Sequence, residues 1–286
     1  MTARLRSLLG EHRVLHLPTV WDGMSARLAA EAGWPALLTT GLGIAATLGL
    51  PDLELYTATD NLQAVTRIAD AVDVPVIADM DNGYGGPVNV HRTTTLFEHA
   101  GVEAVVLEDQ RSPKTCPFYE GATVELESVG PAANKVRAAA EARRSDLLVI
   151  ARTDASDPAE IRERATAYAA AGADLVMPNA PGPDFGLDDW AALRSSVGVP
   201  LVACVMPGSR AEREWDDDTL ADAGISVVVD AIYGLLAAAH ATRQVFTRMR
   251  EDGLRATELP PLMAHHELGE AMGDGAVHAL QKRYLT

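Results

Sequence analysis

The sequence predicts an α/β protein, a (β/α)8 barrel with extra C-terminal helices. Three observations lead there. Eight short, continuously apolar runs alternate with eight longer amphipathic segments. The runs lack the in–out alternation of a half-exposed strand, as expected of parallel strands covered on both faces. The tripeptides AGW, AGV, AGA and AGI recur just ahead of predicted strands, where Gly suits the left-handed residue that closes a helix.

Strands are expected at 14–17 (VLHL), 36–40 (ALLTT), 75–79 (PVIAD), 103–108 (EAVVLE), 147–152 (LLVIAR), 174–178 (DLVMP), 200–205 (PLVACV) and 226–230 (SVVVD). The amphipathic segments between and after them predict helices at 23–33, 59–73, 88–101, 131–143, 157–172, 186–197, 216–223 and 232–251. A doubly wound sheet is the alternative, but it rarely needs eight units. Residues 1–254 are therefore assigned to the barrel. Residues 255–286 form a helical extension that caps the barrel or packs on a neighbouring subunit. Residues 109–130 make a long connection after the fourth strand, and such loops are usually functional or disordered.

Composition narrows the function. The chain has 286 residues, is 48% hydrophobic and 5% aromatic, and carries a net charge of −16. An excess of acid argues against nucleic acid, which is bound through basic patches. No apolar run reaches the ~18 residues of a membrane span. The first residues lack the apolar core and cleavage site of a signal peptide. Two cysteines, Cys116 and Cys204, give no disulfide framework, which fits the cytoplasm.

In such barrels the chemistry collects where the strands end. Asp79, Asp81 and Glu108 end neighbouring strands and would repel one another in a partly buried mouth. A hard divalent cation removes that repulsion, and Mg2+ keeps waters that substrate oxygens displace. Helix capping, or pairing with Arg152, is the alternative reading. The GYGG after Asp81 lets the backbone turn sharply near a ligand. Arg152 can clamp a carboxylate or phosphonate, or serve as a structural ion pair. Thr40, Gly41 and Leu42 offer a hydroxyl and backbone N–H groups to an anion, or make an ordinary turn. In the long loop, Lys114 can depress the pKa of Cys116 and ready it for acid–base work; an inert loop cysteine is the alternative. Cys204 reads as a small packing residue near the mouth. His265 and His266 read as surface or interface residues.

Together these segments resemble the isocitrate lyase / phosphoenolpyruvate mutase superfamily over about residues 12–250. The resemblance rests on WDGMSARLAAEAGWPALLTTGLGIAATLGLPD, DMDNGYGG, VVLEDQRSPKTC and IARTDA followed by AYAAAGADLV. It points to a methylisocitrate lyase-like or carboxyphosphonoenolpyruvate phosphonomutase-like member. It implies Mg2+, with Mn2+ as a substitute, held by Asp79, Asp81, Glu108 and Asp52, some of them through water. It implies that Thr40, Gly41, Leu42, Asp79, Arg152 and Asn179 bind a small carboxylate substrate. Cys116, Lys114 and Arg152 take the catalytic positions, with Cys116 as proton donor on a gating loop. It also implies a homo-oligomer, a dimer or tetramer, that exchanges terminal helices.

The sequence departs from the lyase pattern in three places. Its loop reads KTCPF where lyases typically read Lys-Arg-Cys-Gly-His, so Pro117 and Phe118 replace Gly and His. Asn179 stands where lyases carry Glu, and Cys204 where they carry Asn. These changes fall in the half of the pocket that reads a second carboxylate. The expected activity is a C–C lyase on a 2-oxo or 2-hydroxy acid with a less polar, alkylated distal group, acting through an enolate. A P–C bond enzyme (phosphonomutase or phosphonopyruvate hydrolase) is the runner-up. A barrel that binds a metal and an oxo acid without catalysis is the third reading.

Overall fold

Eight parallel strands close on themselves in chain order, so no doubly wound sheet is formed. The computed structural model describes residues 4–183, 185–253 and 259–285. The strands are β1 (Leu15–Val20), β2 (Leu37–Thr39), β3 (Val76–Asp79), β4 (Ala104–Glu108), β5 (Leu148–Thr153), β6 (Leu175–Pro178), β7 (Leu201–Val205) and β8 (Ile225–Asp230). β8 returns to pair with β1, Leu15 opposite Val227. All eight lie within three residues of their predicted bounds.

The helices are α1 (Arg4–Glu11), α2 (Gly23–Glu31), α3 (Gly41–Thr47), α4 (Ala58–Ala71), α5 (Pro87–His99), α6 (Val129–Ala142), α7 (Pro158–Ala170), α8 (Leu187–Val197), α9 (Arg210–Glu214), α10 (Asp217–Asp222), α11 (Tyr233–Asp252), α12 (His265–Ala271) and α13 (Asp274–Tyr284). Three were not expected. α1 is short and mostly polar, with Leu5 buried and Leu8 and Leu9 packed against the barrel core. α3 opens with Gly-Leu-Gly, which reads as loop; the Thr40 side chain starts it by accepting from Gly43 N–H. α9 is a single polar turn with no buried face.

The strands bury both faces. Leu15, Leu17, Ile77, Val106, Ile150, Met177 and Val229 fill the barrel interior. Val76, Ala78, Val105, Val149, Val176 and Val228 meet the surrounding helices in the larger core. This double burial explains why each strand reads as an unbroken apolar run. At the N-terminal end α1 is tied to β4 by Glu103, which accepts from Leu5 N–H at 2.9 Å and from Arg4 Nε at 3.0 Å.

His16 lies between β1 and β8, its Nδ1 3.0 Å from Asp230 and its Nε2 3.0 Å from Asp217. The Asp230 hydrogen bond, opposed by burial and helped by Asp217, pushes its pKa up to about 9 from 6.5. A raised folded-state pKa stabilises below the unfolded value and ceases to do so as pH climbs past the folded one. The melting-temperature advantage of the native chain over His16→Gln should therefore be full below pH 6.5 and fade between there and about pH 9. A pH-independent difference would contradict this.

α11 buries none of its residues and exposes Phe246 and Met249; α13 likewise exposes Val277, Leu280 and Tyr284. The two expected extra helices are present as α12 and α13, and α12 packs against α2. The boundary assigned at 254–255 lies outside the described residues. Among those, no helix is long and apolar enough to cross a membrane.

Candidate active site

β3 delivers Asp79 to the mouth, and the chain then reverses through Asp81 at φ 48°. That left-handed conformation is uncommon for a residue with a side chain and turns the Asp81 carboxylate inward. Gly83, at φ 84°, cannot be replaced, because a Cβ there would overlap the Val90 side chain. Asp79 Oδ1 accepts from Asp81 N–H at 3.0 Å and Oδ2 from Gly41 N–H at 3.2 Å. The Gly41 N–H expected to be available to a substrate is thus directed at Asp79.

Lys114 joins two acids. Its Nζ lies 2.9 Å from Asp52 Oδ1 and 2.5 Å from Asp81 Oδ1, and the lysine side chain is only 4% exposed. Asp81 Oδ2 accepts from Tyr56 OH at 2.7 Å and also from Tyr84 OH. Burial works to raise the pKa of Asp81, but Lys114 and the two tyrosines outweigh it and hold the carboxyl low. Burial and the Asp81 charge raise that of Asp79.

Beside this group, Arg152 Nη1 lies 3.0 Å from Glu108 Oε2, and Nη2 donates to Asp154 Oδ2 at 2.9 Å. Neither Glu108 oxygen receives a well-aligned hydrogen bond. Its burial, opposed by Arg152, pushes its pKa up to about 8. Asp154 also accepts from Gln110 Nε2 at 2.8 Å and Asn179 Nδ2 at 2.7 Å. Arg152 therefore sits in a frame of acceptors that fixes its guanidinium.

Asp52, Asp79, Thr40, Leu42, Cys116, Arg152, Asn179 and Cys204 line one cavity of about 270 Å³ at the mouth, near the lower end of small-ligand sites. Asp81, Glu108 and Lys114 are buried outside that lining, as is Gly41, which packs against Asp79 and Asp81. His265 and His266 are exposed on α12, far along the chain from this group. Cys116 is buried, and burial raises its pKa although Lys114 and Arg152 oppose this. This corrects the expectation of a depressed pKa. The Lys114 charge is taken up by Asp52 and Asp81, so the thiol keeps its proton. That suits a proton donor and not a thiolate nucleophile.

Tyr56, Tyr84, Asp154 and Glu54 were not predicted as site residues. Glu54, itself at φ 57°, accepts from Asn82 Nδ2 at 3.1 Å, Ser112 Oγ at 2.9 Å and Lys114 N–H at 2.7 Å. It ties the segment after α3 to the β3 tip and to the loop carrying Lys114 and Cys116. Losing these bonds removes about 1–3 kcal/mol, or roughly 5–150-fold in loop opening. Glu54→Ala should therefore speed alkylation of Cys116 at least ~5-fold, read by mass spectrometry. Unchanged labelling would show that Glu54 does not hold the loop.

The residues present fit a hard divalent cation. Five carboxylates, Asp52, Asp79, Asp81, Glu108 and Asp154, face two cations. Glu108 Oε1 is buried without a hydrogen-bond donor, while Asp52 Oδ1, Asp81 Oδ1 and Glu108 Oε2 are met by the side-chain cations alone. A Cβ on Gly41 would lie 3.0 Å from Asp81 Oδ1 and 3.2 Å from Asp79 Oδ2, so the glycine keeps space open over both acids. Among the described residues, no three His, Cys, Asp or Glu side chains converge tightly enough to hold an ion alone. An ion here would complete its shell with water or substrate oxygens, as Mg2+ commonly does.

The fold and this acid-rich mouth place the chain in a known class of barrel proteins. It belongs to the phosphoenolpyruvate phosphomutase family, whose model matches residues 5–250, as the sequence resemblance implied. It is 32% identical to a 2-methylisocitrate lyase of Bacillus subtilis (strain 168), covering 99% of this chain and 92% of that protein. It is 37% identical to oxaloacetate decarboxylase 1 of Pseudomonas fluorescens (strain Pf0-1), covering 89% of this chain and 88% of that one. A phosphonopyruvate hydrolase solved with oxalate and Mg2+ superposes with a TM-score of 0.86 at 30% identity, covering 100% of this chain and 99% of the other.

Proposed function

We propose that the chain is a Mg2+-dependent carbon–carbon bond lyase acting on a 2-oxo or 2-hydroxy carboxylic acid through an enolate. The observation that carries this reading is the excess of buried carboxylate at the mouth beside a single cavity-facing arginine, Arg152. Mg2+, or Mn2+ in its place, would be held by Asp79, Asp81, Glu108 and Asp52, some of them through water, and would offset the charge of the acids and of an anionic substrate.

The chain's own residues supply the rest. Arg152, fixed by Asp154, faces the position where an oxyanion develops. Thr40 and Leu42 line the cavity and would bound the substrate carboxylate. Cys116, protonated, holds a proton at Sγ for the carbanion left by bond cleavage. Lys114 is a positioning residue that neutralises Asp52 and Asp81. The 109–130 loop, latched by Glu54, excludes water.

The runner-up is a P–C bond enzyme, a phosphonomutase or phosphonopyruvate hydrolase, since a phosphonopyruvate hydrolase is a close structural neighbour. Incubating the protein and Mg2+ with 2-oxo acids, 2-hydroxy acids and phosphonopyruvate separates the two. Carbon NMR is expected to show two carbon fragments from one acid, with loss of turnover in EDTA. Phosphate release or phosphonate rearrangement in phosphorus NMR would select the runner-up. Turnover of nothing would select the non-catalytic barrel.

We also propose a cytoplasmic homo-oligomer, a dimer or tetramer formed by exchange of C-terminal helices. The apolar residues left exposed on α11 and α13, including Phe246, Val277 and Leu280, support it. So does a groove between β1, α2 and α11 lined by Pro18, Met24, Leu28 and Trp34. Light scattering should give two or four times 30.3 kDa; a monomer would refute exchange. Thiol titration should find both cysteines reduced, and a disulfide would argue against the compartment.

A further inference from the structure

Resting on the proposed function, we infer that the site takes a 2-oxo or 2-hydroxy acid with one anionic head and an uncharged, apolar tail. The cavity lining is mixed. Asp79, Thr40 and Arg152 make its polar head; Phe118, Met206, Ile232 and Leu236 belong to its apolar wall.

No cation serves that apolar wall. Arg152 is the one basic residue lining the cavity among the described residues, and it is held at the head end by Glu108 and Asp154. Lys114 is buried between Asp52 and Asp81. Asn179 directs its amide N–H at Asp154. Of the other polar groups lining the cavity, Cys204 is a neutral thiol with its pKa pushed up to about 12 by burial, and Tyr119 is a phenol whose oxygen accepts from Asp52 N–H. A second carboxylate or a phosphonate dianion placed there would lose water and gain no cation, which disfavours it.

The apolar wall is instead poised to cover a hydrocarbon. Phe118 and Leu236 are 44% and 48% exposed, so each has surface left for a tail to bury. Ile232 is fixed in a left-handed conformation, its N–H bonded to Thr19 Oγ1 at 2.7 Å, which makes that side a formed wall.

Calorimetry with Mg2+ present tests this on the full-length protein, using oxalate, 2-oxobutanoate, 2-oxopentanoate, 2-oxohexanoate and 2-oxoglutarate. Oxalate should bind, and each methylene added along the alkyl series should tighten binding about fourfold. 2-Oxoglutarate should bind at least ~10-fold more weakly than 2-oxohexanoate, since its second carboxylate is left unpaired. Phe118→Arg, a change on a half-exposed loop side chain, should reverse that order. If 2-oxoglutarate binds the native protein as tightly as 2-oxohexanoate, or the alkyl series is flat while oxalate binds, the inference falls and the proposed function stands. If oxalate itself does not bind with Mg2+ present, both fall.

Discussion

Replacing Lys114 with Met is expected to destabilise the protein by about 3–5 kcal/mol, a fall in melting temperature of roughly 6–15 °C. The ammonium lies within 2.9 Å of two carboxylates, Asp52 and Asp81, in a place from which water is nearly excluded. Methionine is one atom shorter but close to lysine in volume, so the loss is mainly electrostatic and not a cavity. Removing one partner of a buried ion pair leaves the other uncompensated, the costly case. Here two acids are left facing each other. The tyrosines on Asp81 Oδ2 do not reach the Oδ1 atoms that Lys114 contacts, so they do not substitute for it. The same variant reports on the metal. If Mg2+ binds at these acids, millimolar Mg2+ should raise the variant's melting temperature more than the native protein's. Equal shifts would place the ion elsewhere.

Arg152→Met is expected to lower turnover at least ~10³-fold while costing less stability than the lysine change. The guanidinium is the one cation facing the cavity among the described residues, and Asp154 and Glu108 fix it in place. Its removal is cushioned twice. Glu108, with its pKa pushed up to about 8, takes a proton readily, and Asp154 keeps its bonds from Gln110 and Asn179. Arg152→Lys should rescue little, because an ammonium cannot span Asp154 and Glu108 and still address a ligand. Full rescue by Lys would mean that only the charge matters.

The barrel was legible because burial on both faces writes each strand as an apolar run, and because Gly33, Gly101, Gly172 and Gly224 mark helix ends at positive φ. α3 and α9 were not, since neither has an apolar period of its own. The metal-type acids were legible from their place at strand tips. What joins them was not. Tyr56, Tyr84 and Glu54 act from segments whose direction is set by left-handed residues such as Glu54, Asp81 and Tyr84, and no side-chain pattern announces those. Asp154 was visible two residues beyond Arg152, on the same face, but its role as the acceptor for Arg152, Gln110 and Asn179 needed the fold. The direction of the Cys116 pKa shift was misread for a similar reason. Adjacency in sequence placed Lys114 beside the thiol, while the fold turned the lysine toward Asp52 and Asp81.

The central claim is that these acids hold Mg2+ where an oxo acid becomes an enolate. Proton exchange at C3 of a 2-oxo acid in D2O, followed by proton NMR, tests it most directly. The account predicts exchange that needs Mg2+, stops in EDTA and disappears in Asp81→Asn, a variant in which the Tyr56 and Tyr84 contacts to the side chain remain available. Exchange that is absent for every oxo acid tried, or that continues unchanged in EDTA or in Asp81→Asn, would contradict it.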